Sequence, residues 1–398
     1  MYLLAPLQRN CKGTALNLYH HKLAQSRLSE FLTRANQYGK ERGFVRSTLP
    51  TVSQLSPFIR YRFLHEREIF KALIETYPFS HVEKFIQELV WRSYWRGWLI
   101  QRPAVWDHYE QRVNELLPHA SQSFPLYTQA IEGKTHLSFF NDWVYELKET
   151  GYLHNHVRMW FASVWYFTFQ LPWELGAHWM YDHLLDGDPA SNTLSWRWIV
   201  GLQTPGKTYL ATPHNIHHFS EGRWSPSVGD LATEGTGACE DAQIRRETHP
   251  FVPHAYSVSE SYSPLILSTE QLTPPEQWIG PCLYLSSDLN ENTPQKESWR
   301  NHLLQEAALR YSAEEPLSLE RLTAHLQQLD TKTAYMLRPQ PGKSIRWLRS
   351  VINYLEGSGF KLLLIDDPWD QKLFPMAKKG FFPFWKQARK WLESEALA

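Results

Sequence analysis

The chain has 398 residues, room for two or more domains of ordinary size. Its 41 basic and 41 acidic residues cancel, so no global field steers it to nucleic acid or membrane, and only a local basic face is left for such a role. Cys11, Cys239 and Cys282 are too few and too scattered for a disulfide framework, a zinc knuckle or a four-cysteine iron–sulfur cluster, so no metal site is expected.

Residues 1–14 read as a lead-in, and MYLLAPL is too short for a signal peptide or a membrane span; a soluble, cytoplasmic protein is expected. Ala15 to Tyr38 has helical spacing, with Leu18, Leu23, Leu28, Phe31, Leu32 and Ala35 on one stripe. Thr48 to Phe58 is a Ser/Thr-rich turn with Pro57. Its hydroxyls and free N–H groups suit a phosphate, and the plain alternative is an N-cap at Ser56. In the helical run Ser80 to Leu99, Glu88 and Trp91 share a face, while Phe85, Leu89, Arg92 and Arg96 line another; the plain reading is an i, i+4 pair of Glu88 with Arg92. Gln101 to Gly133 is a proline-bearing connector.

The densest stretch runs from Glu146 to Trp198. Met159, Ala162, Ser163, Tyr166 and Phe167 recur at helix spacing, and a helix so aromatic is buried. A buried Arg158 then needs a carboxylate, with Asp186 or Asp188 nearest in sequence. The 18 tryptophans leave two readings open: a large aromatic core, or a ring-shaped ligand with an electron path. Gly201 to Thr208 fits G-x-x-x-x-G-K-T, and Leu362 to Asp367 resembles its partner strand. Trp196-Arg197-Trp198 before it and Pro213 after it do not supply the strand and helix a phosphate loop needs. His214, His217 and His218 have metal-like spacing but no following carboxylate, so they read as surface histidines. Ser225 to Gln277 reads as linker. Beyond it, strands at Gly280–Ser286, Ala334–Leu337 and Lys361–Ile365 alternate with helices at Glu297–Arg310, Leu319–Leu329, Lys343–Glu356 and Phe382–Glu393, which predicts a small parallel α/β layer.

Several spaced motifs now coincide: Val52-Ser53-Gln54-Leu55-Ser56-Pro57, Glu88-Leu89-Val90-Trp91-Arg92, Thr150-Gly151-Tyr152-Leu153-His154-Asn155-His156-Val157-Arg158-Met159, Asp186-Gly187-Asp188 to Asn192, and Trp196-Arg197-Trp198. Together they resemble the flavin-binding domain of the photolyase/cryptochrome family over roughly residues 13–224. Val52 stands where the family has Thr and Arg62 where it has Gly. The family's amino-terminal antenna domain has no counterpart here. The resemblance implies a mainly α chain: a helical FAD-binding domain at 15–235, a linker at 236–275 and a smaller α/β domain at 276–398.

It also implies roles. FAD would be held by Ser53, Gln54, Leu55, Ser56, Phe85, Arg92, Arg158, Asp186, Asp188 and Asn192, with Asn192 at the flavin N5. Trp196 and Trp173 would begin an electron chain whose outer tryptophan has no match; Tyr127 or another aromatic would replace it. Glu88, Trp91, Asn155, Met159 and Trp198 would face a lesion in single- or double-stranded DNA, with Glu88 and Asn155 acting in catalysis. The family's (6-4) enzymes use His where Asn155 stands, so a cyclobutane pyrimidine dimer is the expected substrate. The alternative is a cryptochrome-like photoreceptor with a protein partner and no repair.

Overall fold

The computed structural model of the chain describes residues 18–46, 51–204, 206–286, 293–312 and 314–397. The lead-in 1–14 and the start of the Thr48 turn lie outside them. The architecture is mainly helical, with one small parallel sheet.

Helix α1 (Tyr19–Leu32) buries Leu28 and Phe31 of the expected stripe together with His20 and Ala24, while Leu23 and Leu32 are half-buried. After α2 (Ser56–Ile59) and α3 (Glu66–Thr76), the long α4 (Phe79–Ile100) forms the spine of the helical half. Next come α5 (Pro103–Leu116) and α6 (Ser138–Thr150). Gly151, at φ +64°, ends α6 in the left-handed conformation that glycine adopts without a Cβ penalty. Then α7 (Asn155–Ser163) runs into a π-helical turn at Val164–Thr168, where one continuous helix was expected. Pro172 caps α8 (Trp173–His183), and α9 (Pro189–Ile199) starts on Asp188 with Pro189 in its first turn. Helix α9 packs on α4, α7 and α8.

The sheet has the order β2-β1-β3-β4, all parallel, from β1 (Leu265–Leu267), β2 (Cys282–Tyr284), β3 (Thr333–Leu337) and β4 (Lys361–Ile365). Between them run α10 (Pro294–Tyr311), α11 (Leu319–Gln328) and α12 (Ser344–Gly357); α13 (Pro368–Leu373) and α14 (Phe381–Leu397) follow β4. Strand β1 falls inside 236–275, the span expected as linker. Three residues are too short to show a period, yet Leu265 and Leu267 enter the main core and Ile266 a smaller second core. The sheet is thus covered on both faces, as parallel sheets are. Its inner face shares one hydrophobic core with the helical half. Gly97 of α4 allows this closeness, because a Cβ there would meet the Phe374 backbone at 2.8 Å.

Candidate functional site: a buried charge cleft at the start of helix α9

Asp188 caps α9, accepting from Ser191 N at 2.8 Å, and its other oxygen accepts from Arg96 Nε at 2.9 Å. Burial opposes its ionisation, but Arg96, Arg92 and Arg60 together hold it well below the usual carboxylate range. Arg92 and Arg96 also donate to the Arg60 carbonyl at 2.5 and 3.2 Å. Arg60 itself donates to the Gly187 carbonyl at 2.8 Å and to Glu270 at 3.3 Å. Burial, then Arg96, pulls the Arg92 guanidinium down to about 9, the mark of positive charge crowded into a dry site. Two residues before Asp188, Asp186 accepts from Arg158 at 2.8 Å, which selects Asp186 as the carboxylate that a buried Arg158 required.

Lys296 arrives from α10. It is 2% exposed, donates to the Tyr181 carbonyl at 2.5 Å and lies 3.7 Å above the Tyr181 ring. Its Nζ sits 2.7 Å from where Gly187 would carry a Cβ. Burial, then Arg60, lowers its pKa to about 7. Three atoms around this cleft are buried and have no hydrogen-bond partner in the protein: Asp186 Oδ1, Arg92 Nε and Arg96 Nη1. Unmet buried donors and acceptors are costly, and a ligand offering both acceptors and a donor would satisfy these three.

Other expected cofactor residues are already engaged. Asn192 is buried and donates to the Ala177 carbonyl at 2.8 Å. Ser53 accepts from Leu55 N at 3.3 Å, Gln54 takes φ +54°, and Arg27 donates to the Gln54 carbonyl at 3.3 Å. Ser56 begins the four-residue α2, and Leu55 is fully buried. Phe85 packs between Phe31 and Tyr38, with centroids 4.4 and 4.9 Å away, a core position.

A second group lies along the same helices. Glu88 pairs with Arg42, not with Arg92 as the i, i+4 reading had it; Arg92 turns instead toward Asp188 and Glu66. Burial raises the Glu88 carboxyl, with Arg42 opposing. Asn155 is exposed at the start of α7, its Nδ2 3.7 Å from Met159 Sδ. His154 beside it is buried, accepts from His156 N at 3.2 Å and is driven down to about 3 by burial, then His156. Trp91 lies flat on Phe381 of α14, centroids 3.5 Å apart and planes 6° apart. Trp198 is 39% exposed and stacks on Tyr209 at 5.8 Å. Trp196 and Trp173 are both buried, and the Trp196 ring presses on Gly176, one turn along α8 from Trp173.

The phosphate-loop match folds differently: the turn at Gly201–Thr204 follows helix α9 and not a strand. His214 stacks on His218 at 6.0 Å. A cavity of about 680 Å³ opens elsewhere, lined by Phe124, Tyr166, Phe167, Gln170, Pro172 and Glu234 among others.

Residues 85–221 match the family model for the FAD binding domain of DNA photolyase. Over that span the chain carries the FAD-binding domain of the photolyase family. Its cofactor is FAD, and the cleft suits it: a flavin and pyrophosphate bring acceptors for Arg92 and Arg96 and a ring or ribose donor for Asp186. Among curated relatives, the deoxyribodipyrimidine photo-lyase of Streptomyces griseus is 29% identical over 153 residues, 38% of this chain and 32% of that one. The same enzyme of Escherichia coli is 27% identical over 229 residues, 53% of this chain and 47% of that one. The chain therefore spans about a third to a half of the length of the relatives it matches. A class III photolyase structure from Agrobacterium tumefaciens aligns over 50% of this chain and 42% of its own, at 24% identity and TM-score 0.41. Among the described residues, no helix is long and apolar enough to cross a membrane.

Of the groups now visible, Arg42, Arg60, Arg96, Lys296 and Phe381 were not picked out as site residues by sequence. Arg96 alone had a signal, one turn after Arg92 on α4.

Proposed function

We propose that this protein repairs cyclobutane pyrimidine dimers in DNA with light and reduced FAD. One observation carries the reading. Each of three packed helices bears a residue of the charge cleft and a residue of the second group: Arg92 with Glu88 and Trp91 on α4, Arg158 with Asn155 and Met159 on α7, Asn192 with Trp196 and Trp198 on α9. A cofactor in the cleft and the two linked pyrimidines of a dimer flipped onto the second group would therefore be neighbours.

When bound, reduced FAD supplies the photoexcited electron. The chain does the rest. Arg92 and Arg96 offer N–H groups to anionic acceptors, and Asp186, fixed by Arg158, takes a donor. Asn192 is anchored through its amide nitrogen, which leaves its oxygen for N5. Trp91 and Trp198 offer ring faces to the dimer, and Met159 offers a polarisable side. Glu88, whose carboxyl burial raises while Arg42 opposes, can bond the pyrimidine edge and stabilise charge as it develops there. Local Arg and Lys side chains meet the phosphates, so binding weakens with salt.

The test is illumination of reduced, FAD-loaded protein with an oligonucleotide carrying one dimer. Thymine restoration that collapses in Glu88→Ala supports repair. No turnover on single- or double-stranded substrate refutes it. The stack of Phe381 on Trp91 favours a second reading, a cryptochrome-like photoreceptor, because a dimer meets that tryptophan face only after Phe381 leaves.

A further inference from the structure

We propose that Tyr109 and Trp106 of α5 lead outward from the buried Trp173, which is one helical turn from the Gly176 that the Trp196 ring presses on, and that Trp106 is the outer electron donor of this chain. The proposal rests on the flavin reading above and deepens it. Trp106 and Tyr109 are three residues apart and share a helix face. The Tyr109 ring stacks on Trp173 with centroids 5.5 Å apart and planes at 28°. Trp106 follows at 5.3 Å and 53°. All three rings are nearly buried, Trp106 keeping 7% of its surface, so the path runs through protein until its last member.

A competing branch leaves Trp196 through Trp165, at 6.4 Å and 87°, and ends at Tyr127, 6.0 Å and 87° further on. Two arguments rank it second. Its rings meet edge to face, where π overlap is poor, whereas Tyr109 and Trp173 meet nearly face to face. It also ends on a phenol. Oxidised phenol must shed its proton, and burial raises the pKa of Tyr127. The same penalty weighs on Tyr109, whose phenol burial pushes well above its usual value. Tyr109 therefore bridges, and the hole comes to rest on the indole of Trp106, which can stay oxidised as a cation. Arg197, 6.0 Å over the Trp173 ring, disfavours a positive hole there and pushes it outward, with its Glu240 partner offsetting part of that charge.

The electron count is simple. Trp196 would give one electron to bound oxidised FAD under light; Trp173 then gives one to Trp196, and Trp106 gives one through Tyr109 to Trp173. An added thiol returns one electron to Trp106 and its proton to water, and the thiyl radicals pair as disulfide.

Flash photolysis of the FAD-loaded full chain tests this, with FAD content and melting curves as folding controls. Wild type is expected to show a long-lived tryptophan radical. Trp106→Phe and Tyr109→Phe keep its initial yield but shorten its life at least about tenfold, the hole being stranded on Trp173. Tyr127→Phe leaves the lifetime unchanged. If Trp106→Phe fails to load FAD, Trp106→Tyr is read instead and must shorten the radical's life likewise, a buried phenol being a poor resting place for the hole. A wild-type lifetime in either Trp106 variant, or shortening in Tyr127→Phe, overturns the assignment. A wild-type protein that forms no tryptophan radical at all fails earlier, and takes the flavin reading down with it.

Discussion

The charge cleft and the second group sit on the same three helices, yet they are finished differently. Around Asp186 and Asp188 the protein holds its charges rigidly and leaves Asp186 Oδ1, Arg92 Nε and Arg96 Nη1 unmet. Around Glu88 and Trp91 it satisfies itself: Arg42 takes the carboxylate and Phe381 covers the indole. On the reading proposed above, the cleft is set for a resident cofactor. The second group is closed over and opens only if an occupant outcompetes groups of the same chain. The difference separates a resident cofactor from an occasional substrate in physical terms, as unmet buried polarity against displaceable internal contacts.

The largest expected effect is on the cleft's own charge. Lys296 has a folded pKa of about 7, below its value of 10.5 in an unfolded chain. Between those values the unfolded chain binds the extra proton, so stability rises with pH across that window. Below pH 7 the full penalty of a buried ammonium is present, on the order of 5 kcal/mol at most. Lys296→Met in FAD-free protein should therefore melt higher than wild type at pH 6, with the gap closing toward pH 10. A gap that is flat or widens with pH would mean that Lys296 is not held charged in a dry site.

Next in size is Asp186→Ala. It removes the acceptor left open for a ligand and leaves Arg158 without its carboxylate. Losing a charged hydrogen bond costs about 2 kcal/mol, roughly thirtyfold in FAD affinity. Equilibrium dialysis against FAD measures this. Asn155→Ala, on the second group, should retain FAD as wild type does. If both variants lose FAD equally, the two regions are not distinct.

Legibility in the sequence followed the distance between partners. Arg158 and Asp186 lie 28 residues apart, and the demand of a guanidinium in a buried helix for a carboxylate narrows the partner to Asp186 or Asp188, of which the structure pairs Asp186. The spaced aromatic and acidic motifs placed the helical half. The reach of the carboxyl-terminal half could not be read. Arg62 meets Asp370 at 2.5 Å across 308 residues, and nothing local to either marks the other. Arg62, which departs from the family's Gly, is fully buried and answers Glu66, Gln271 and Asp370. Strand β1 was missed because three apolar residues between serines carry no period, and its burial is supplied by elements that follow it. Glu88 was given the partner one turn away, because pairing within a helix is all a sequence displays; Arg42 reaches it from another segment.

The smallest effect bears most directly on the comparison. Phe381→Leu keeps an apolar side chain on α14 but removes the flat ring from Trp91. An aromatic pair contributes about 1 kcal/mol beyond its area, so Trp91 should be freed by roughly five-fold in any equilibrium where an incoming base must replace Phe381. For the repair reading, the variant should bind dimer-containing oligonucleotide about five-fold tighter than wild type, with undamaged oligonucleotide unchanged. Fluorescence anisotropy at fixed salt measures both, since phosphate contacts move with salt in the same way for either strand. Tighter binding of both strands would show only a loosened α14. Unchanged binding of both would mean that the covered face of Trp91 is not where a dimer goes, and the stack would then be a fixed part of the core in which α14 packs against α4.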